Sequence, residues 1–190
     1  IVKSATEESS FGISQASVVY DDASLAERVA FVHEQLRTDA LVEEYVEGRE
    51  LYVGVIGNRR LSVLPIWELD FGKLAEQPGA RVATQKVKHD VAYQTRMKIE
   101  HGPAADLPEG VAARAERLTR RICRALEIDG YARVDYRLDA QGRLHFLEAN
   151  PNPEIAWEEE FASAAEAWGL GYTELIQKIV NLGLARHRGR

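Results

Sequence analysis

The fold is decided by two adjacent segments, YARVDYRL at residues 131–138 and RLHFLEAN at residues 143–150, which DAQG at residues 139–142 connects. In the first segment apolar and charged side chains alternate, and alternating side chains of a strand point to opposite faces of a sheet. The apolar face carries Ala132, Val134, Tyr136 and Leu138. Two such segments around a short polar turn predict a β-hairpin with one buried and one polar face.

The polar face of this hairpin collects charged and amide side chains. If residues 139–142 form a four-residue loop, position 133 pairs with 148 and position 135 with 146. Residues that pair share a face, so the polar face is predicted to carry Arg133, Asp135, Glu148 and Asn150. An odd-length loop would reverse this deduction, because a one-residue slip moves every side chain across the sheet.

Asp135, Glu148 and Asn150 supply two carboxylates and an amide oxygen, the donors that Mg²⁺ prefers. The alternative is a solvated face on which arginine and carboxylate form a cross-strand pair. The sequence NPNP at residues 150–153 favours a site, since two prolines hold the chain rigid directly after the carboxylate and the amide.

Strands and helices follow one another in mixed order without regular βαβ alternation, which predicts an α+β fold. Helices are predicted from Asp22 or Ser24 (the candidate caps) to Leu36, over 111–125, and from Tyr172 to about residue 185. Strands are predicted at 1–5, 16–20, 41–46, 50–56, 61–66, 131–138 and 143–149, with a further one at 81–88 inside the polar stretch 68–110. The first two strands should form a hairpin.

Composition restricts the function classes. The chain has 190 residues and a formal net charge of −6, which disfavours nucleic acid as a partner. No apolar run approaches the roughly 20 residues that span a bilayer, and no signal region is visible, so a cytoplasmic protein without membrane contact is expected. The chain opens at Ile1 inside an apolar strand, and we expect it to be part of a longer protein.

The segment RVD at 133–135, followed by FLEANP at 146–151, resembles the metal-binding signature of ATP-grasp enzymes, in particular D-alanine–D-alanine ligases and related carboxylate–amine ligases. GLGYTELI at 169–176 is similar to the closing helix of that family. The resemblance implies an ATP-grasp fold in which two α+β subdomains grip ATP between antiparallel sheets. The subdomains would be residues 1–46 and 47–190, and the N-terminal lobe of the family would be missing.

The resemblance also implies roles for individual residues. Asp135, Glu148 and Asn150 would hold two Mg²⁺ ions (or Mn²⁺), with Glu148 between them. Arg133 would stabilise the charge that develops on an acyl-phosphate. Lys88 would be a catalytic lysine that contacts phosphate, with Lys86 as its competitor.

The implied ATP contacts lie mostly in the first 50 residues. They are Lys3 on the phosphates, Glu8, Ser9, Ser10 and Gly12 in a phosphate-covering loop, Glu43, Glu44, Tyr45 and Val46 along the adenine, and Glu50 on the ribose. Each of these residues also fits an ordinary surface, and the loop also fits a plain hairpin connection.

Together these features predict an ATP-dependent carboxylate–amine (or carboxylate–thiol) ligase that acts through an acyl-phosphate, with small-molecule substrates and a homodimer as an allowed assembly. The alternatives are a non-catalytic or regulatory ATP-binding module and an ordinary α+β interaction domain. One departure concerns the second substrate: Glu154 stands where the D-alanine ligases have a glycine.

Overall fold

The computed structural model describes residues 1–7 and 10–188 and divides into two compact units. The first is Ile1–Glu47 with Asp70–Glu100, and the second is Gly48–Leu69 with His101–Arg190. This division differs from the expected subdomains 1–46 and 47–190, because residues 70–100 pack with the first unit. Hydrogen bonds hold them there: the Tyr45 hydroxyl donates to the Arg81 carbonyl at 3.1 Å, and Gln15 Nε2 donates to the Ala80 carbonyl at 3.1 Å.

The first unit begins with a small sheet. Strand β1 (Val2–Ser4) pairs antiparallel with β2 (Ala40–Val42), and helix α1 (Asp22–Phe31) lies between them in the chain. The Asp21 side chain caps α1 by accepting the Ser24 N–H at 2.8 Å, so the predicted caps Asp22 and Ser24 are wrong by one to three residues. A π-helical turn, Val32–Leu36, continues the helix.

Two strand predictions fail in this unit, and a third holds only in part. Residues 16–20 form no strand, because Gln15–Ser17 is a 3₁₀ turn in which the Ser17 hydroxyl accepts the Ser14 N–H at 3.1 Å. The hairpin of 1–5 with 16–20 is therefore wrong. The strand predicted at 41–46 ends at Val42.

The strand predicted at 81–88 is also wrong. The Thr84 hydroxyl accepts the Val87 N–H at 3.3 Å and caps a short helix, α2 (Gln85–His89). A second helix, α3 (Val91–Met97), follows, and a 3₁₀ turn (Gly72–Glu76) precedes both. Of the three, only α2 and the turn bury a residue, Val87 and Leu74.

The second unit is built on a five-stranded sheet. Its strands are β3 (Arg49–Gly57), β4 (Ser62–Asp70), β5 (Glu100–Pro103), β6 (Gly130–Leu138) and β7 (Leu144–Asn150), in the order β5-β4-β3-β6-β7. The pairs β3–β4, β3–β6 and β6–β7 are antiparallel. The strands predicted at 50–56 and 61–66 are confirmed as β3 and β4, and the hairpin predicted at 131–149 is confirmed as β6 and β7. Strand β3, buried from Glu50 onward, lies between β4 and β6.

The apolar face of this sheet packs under helix α4 (Val111–Ala125), as the spacing predicted. Val111, Ala115, Thr119 and Cys123 recur every fourth residue and are buried. On the sheet, Ala132, Val134, Tyr136 and Leu138 are buried together, as predicted. Tyr136 keeps its hydroxyl satisfied through Thr119 Oγ1 at 2.8 Å.

The predicted register of the β6–β7 hairpin is wrong, but the predicted face is right. Leu138 pairs with Leu144, so the connection has five residues instead of four. A bulge then inserts one extra residue, Leu147, so that Asp135 pairs with Glu148. The two one-residue offsets add up to a register shift of two residues, and because side chains alternate with a period of two, both carboxylates return to the same face.

Two further helices, α5 (Glu160–Ala167) and α6 (Tyr172–Arg188), complete the second unit. Phe161 of α5 is buried, and its ring meets the Tyr131 ring edge-on at 5.8 Å. Phe161 also fills the space that Gly54 leaves open, since a Cβ at Gly54 would lie 3.1 Å from Phe161 Cε2. The absence of a side chain at position 54 thus lets α5 dock.

We predict that Gly54→Ala lowers the free energy of unfolding by about 1–3 kcal/mol, because the added methyl would also lie 2.8 Å from Leu64 Cδ1. Urea unfolding monitored by circular dichroism measures the change. Gly102→Ala, where no atom lies within 4 Å of the added methyl, is the matched control and should cost little. Equal stability of the two variants would contradict the docking role of Gly54.

A second prediction concerns the turn after β6. The Asp139 carboxylate accepts the N–H groups of Gln141 (2.9 Å) and Arg143 (2.8 Å) and lies 2.9 Å from His145 Nε2. These contacts, the one with His145 first, hold the pKa of Asp139 well below its usual range. A carboxylate with a lowered pKa stabilises the fold above its unfolded pKa of about 4 and loses that contribution as the pH falls further.

We therefore expect Asp139→Asn to be less stable than the parent at pH 7, with a difference that shrinks below about pH 4. Urea unfolding at several pH values tests this, with the exposed Glu109→Gln as control. A difference that stays constant on acidification would show that the charge of Asp139 does not stabilise the turn.

Candidate functional site

The second face of the five-stranded sheet is polar where β3, β6 and β7 adjoin. Register pairs place Glu50 opposite Arg137, Tyr52 opposite Asp135 and Gly54 opposite Arg133. On the other side of β6, Asp135 pairs with Glu148 and Arg133 with Asn150. Because paired residues share a face, all these positions lie on one surface, which we call the polar face (Glu50, Tyr52, Gly54, Arg133, Asp135, Arg137, Glu148 and Asn150).

Asp135 is the most enclosed carboxylate of the predicted metal set, with 4% of its surface exposed. Arg133 holds it with two hydrogen bonds, Nε to Oδ1 at 2.8 Å and Nη2 to Oδ2 at 2.9 Å. Burial raises the pKa of Asp135 to about 6, and the charges of Glu148 and Glu50 add to the rise, while Arg133 opposes it. A cation beside Asp135 would favour its ionised form.

Glu148 and Asn150 complete the predicted metal donors. Glu148 is exposed and lies directly opposite Asp135, a pairing of like charges that is unfavourable unless a cation compensates it. The Asn150 amide oxygen is oriented by the Asn152 N–H at 2.9 Å. Two carboxylates and one amide fit Mg²⁺, which takes a few protein oxygens and fills its shell with water and phosphate. Among the described residues, no three His, Cys, Asp or Glu side chains cluster as metal ligands.

Glu50, predicted to bind ribose, lies on the polar face but is already engaged. Its Oε1 accepts the Tyr52 hydroxyl at 2.8 Å, and its Oε2 accepts Arg137 Nη2 at 2.8 Å. Burial first, and then the charge of Glu50, raise the pKa of Tyr52 well above its ordinary value. Ribose hydroxyls could reach Glu50 only by sharing these oxygens, each of which has a second lone pair.

Sequence reasoning missed Tyr52 and Arg137. Arg137 continues the alternation of Arg133 and Asp135, so strand period alone could have placed it on the polar face. Tyr52 alternates with Glu50 in the same way. Its ring lies 4.5 Å from Arg133 Cζ, a cation–π contact across adjacent strands that only the register reveals.

Glu160 and His101 were also missed. The acidic run at 158–160 predicts a solvated helix start, and this prediction is wrong for Glu160: its carboxylate lies 3.6 Å from Arg133 Nη1 and 3.0 Å from His101 Nδ1. The exposed side chains of Glu158 and Glu159 fit the prediction. Apolar packing of the neighbouring Phe161 turns Glu160 inward, and no pattern in the sequence signals this contact.

In the first unit, Lys3 and Glu43 form a close ion pair with each other. Glu44 is exposed, and among the described residues neither Glu44 nor Val46 forms a main-chain hydrogen bond. Their backbone groups are thus open to a ligand such as an adenine edge. Tyr45 instead turns its hydroxyl to the Arg81 carbonyl.

The two lysines that compete for a phosphate role both lie on α2. Lys86 is exposed, and Lys88 is half-buried. They lie on opposite sides of Val87, which is buried and anchors the helix. The short helix therefore gives the two ammonium groups different directions, and only one of them is expected to reach a given phosphate.

The predicted phosphate loop is described from Ser10 onward, and the predictions for Glu8 and Ser9 lie outside the described residues. Ser10 and Gly12 both have left-handed backbones, with φ of 61° and 72°. The Gly12 carbonyl accepts a hydrogen bond from Arg28 Nη2, and the same guanidinium donates to Ser17 Oγ at 2.9 Å. Arg28, which the sequence did not single out, thus fastens the end of this loop to α1.

Comparisons with known proteins relate the chain to one ligase family. The family model described as "D-ala D-ala ligase C-terminus" matches residues 1–181. D-alanine--D-alanine ligase A of Mesorhizobium japonicum is 34% identical over 192 residues, which cover 99% of this chain and 50% of the ligase. The uncharacterized protein y4sG of Sinorhizobium fredii is 32% identical over 193 residues, 100% of this chain and 53% of that protein.

A solved structure, the D-alanine--D-alanine ligase of Bacillus anthracis complexed with ATP, superposes with a TM-score of 0.70 at 18% identity, covering 100% of this chain and 60% of that one. At this identity the superposition supports the fold alone. The chain spans about half the length of the relatives it matches. No helix in residues 1–7 and 10–188 has the length and apolar character needed to cross a membrane.

The expected α+β architecture, the polar face of its sheet and the match over residues 1–181 lead to one conclusion: the chain belongs to the D-alanine–D-alanine ligase C-terminal family, with the ATP-grasp fold.

Proposed function

We propose that the protein is an ATP-dependent ligase that joins a carboxylate to an amine through an acyl-phosphate. The observation that carries the proposal is the pairing of a buried Asp135 with Glu148 and of Arg133 with Asn150, a donor set for a divalent cation beside one guanidinium. Membership of the ligase family supplies the reaction class.

The reaction would proceed in two steps. A substrate carboxylate oxygen attacks the γ-phosphorus of ATP, the bond to ADP breaks, and an acyl-phosphate forms. An amine nitrogen then attacks the acyl carbon, inorganic phosphate leaves with the bonding electron pair, and the amine loses a proton. A thiol would replace the amine in the carboxylate–thiol alternative.

The residues of the polar face would act by charge and position. Asp135, Glu148 and Asn150 would hold Mg²⁺, which neutralises phosphate charge when bound. The Arg133 guanidinium would stabilise negative charge on the transferred phosphoryl group and on the carbonyl oxygen during attack. Because it is 12% exposed, it interacts through a medium that screens charge less than water does.

The first unit would supply ATP contacts. Lys3, Lys88 and the loop that contains Ser10 and Gly12 would contact phosphate oxygens, and the main chain of Glu44 and Val46 would read the adenine edge. Phosphate can compete with Glu43 for Lys3, because the ion pair between the two side chains is partly exposed and exposed pairs are weak. In the second unit, Glu50 would bind the ribose.

The substrates are small molecules, and D-alanine is not proposed as one of them. By the resemblance, Glu154 would take the position of the family glycine, and the second-substrate pocket would differ accordingly. The Glu154 carboxylate folds back to accept the Ala156 N–H at 3.1 Å. We place the enzyme in the cytoplasm, with a homodimer as an allowed assembly.

Glu148→Gln is predicted to lower Mg²⁺-dependent ADP release on the order of 100-fold, because it removes the exposed carboxylate of the metal set. A coupled ADP assay on the protein, with a panel of amino acids and small carboxylates, measures the rate. Glu158→Gln, an exposed acid outside the polar face, serves as control. Parental rates in Glu148→Gln would refute the metal assignment, and Mg²⁺-dependent ATP binding without ADP release would favour a non-catalytic ATP-binding module.

Lys88→Met is predicted to raise the KM for ATP roughly tenfold or more, since a charged hydrogen bond to phosphate would be lost. Lys86→Met is its matched control on the same helix and should leave KM near the parental value. A reversed pattern would assign the phosphate contact to Lys86. Unchanged KM in both variants would remove α2 from the ATP site.

A further inference from the structure

The Arg133 guanidinium has two acidic neighbours, and the proposed reaction uses only one of them. Asp135 takes the edge formed by Nε and Nη2, while Glu160 faces Nη1 at 3.6 Å. The Tyr52 ring covers one side of the plane at 4.5 Å. Arg133 is thus contacted on two edges and one face of its guanidinium group. Glu160 is not one of the proposed metal ligands.

The position of Glu160 is built into the fold. Glu160 is the first residue of α5, and the next residue, Phe161, docks that helix against Tyr131 and the gap at Gly54. Gly54 is in turn the register partner of Arg133 on β3. The contact that docks the helix therefore also brings the Glu160 carboxylate to the arginine.

His101 fixes the second oxygen of Glu160, with Nδ1 3.0 Å from Oε1. The Glu160 side chain is 16% exposed. Burial opposes its ionisation, but the hydrogen bond from His101 and the charges of His101 and Arg133 outweigh burial and lower the pKa of Glu160. An ionised, enclosed carboxylate with two basic partners is held in one place.

We propose that Glu160, held by His101, is a positioning residue that keeps the Arg133 guanidinium aimed while Asp135 binds the metal. The inference rests on the proposed function, in which Asp135 must serve both the cation and Arg133. A carboxylate that ligates a cation gives up part of its hold on a neighbouring guanidinium, because its lone pairs are shared. Glu160 supplies a second anchor on the opposite edge, outside the metal set.

The test compares Glu160→Gln, which keeps size and removes charge, with Glu158→Gln, an exposed acid two residues earlier. The readouts are kcat and KM for ATP in the ADP assay, the urea unfolding midpoint, and the ¹⁵N NMR signal of Arg133 Nε–H with and without Mg²⁺ and ADP. The Arg133 signal is assigned by its loss in Arg133→Lys.

For Glu160→Gln we expect kcat to fall about 10- to 100-fold, while KM for ATP stays within about twofold of the parental value. A loss of activity of this size is typical when a residue that orients a functional side chain is removed. The Arg133 Nε–H signal should shift and exchange faster once Mg²⁺ and ADP are added. Glu160→Asp, which keeps the charge, should recover part of the rate. Glu158→Gln should match the parent throughout.

Failure of the ligase proposal and failure of the positioning role of Glu160 give different results. If the parental protein releases no ADP with any substrate of the panel, the proposed function fails, and the NMR signal alone decides the positioning role. An unchanged Arg133 signal in Glu160→Gln, or a parental kcat, overturns the inference while the ligase proposal stands. A loss of stability with kcat preserved would make Glu160 a structural residue only.

Discussion

The constraint on which the rest of the second unit depends is the burial of the Asp135 carboxylate. Removing a carboxylate from water costs several kcal/mol unless partners compensate it. The fold supplies a two-bond contact from Arg133, and Arg133, now enclosed itself, is compensated by the Tyr52 ring and by Glu160. Each enclosed charge thus needs a further partner, and the contacts continue from Glu160 to His101 on the edge strand β5.

Because side chains alternate along a strand, the charged residues that compensate Asp135 are gathered on one face of the sheet. One face of β3 and β6 is largely apolar and packs under α4, and the buried charged side chains of Glu50, Asp135 and Arg137 lie on the other face. On that face Gly54 leaves a gap between the side chains of Tyr52 and Ile56, and Phe161 fills it. The register of β3 with β6 therefore determines both how α5 packs and where the charged side chains lie. A change in the packing of α5 is expected to alter the arrangement of the charges, and the reverse.

Much of the site could be predicted from the sequence, because alternation fixes which residues share a face. The prediction placed Asp135 and Glu148 on one face correctly although the loop length was wrong, since the five-residue turn and the bulge at Leu147 together shift the register by two residues. Tyr52 and Glu160 reach Arg133 through tertiary contacts that no local pattern reports. The strand predictions at 16–20 and 81–88 were wrong because serine and threonine hydroxyls accept backbone hydrogen bonds there and stabilise turns or helix starts. The spacing of hydrophobic residues does not show this competition between side-chain hydrogen bonds and strand pairing.

A crystal structure of the protein grown with ADP and Mn²⁺, using the anomalous signal of manganese, would show whether the polar face binds a divalent cation for ATP chemistry. We expect anomalous peaks about 2.2 Å from carboxylate oxygens of Asp135 and Glu148, with nucleotide phosphate oxygens in the same coordination shell. Ordered nucleotide with no manganese at these carboxylates, or manganese bound elsewhere on the protein, would contradict this expectation.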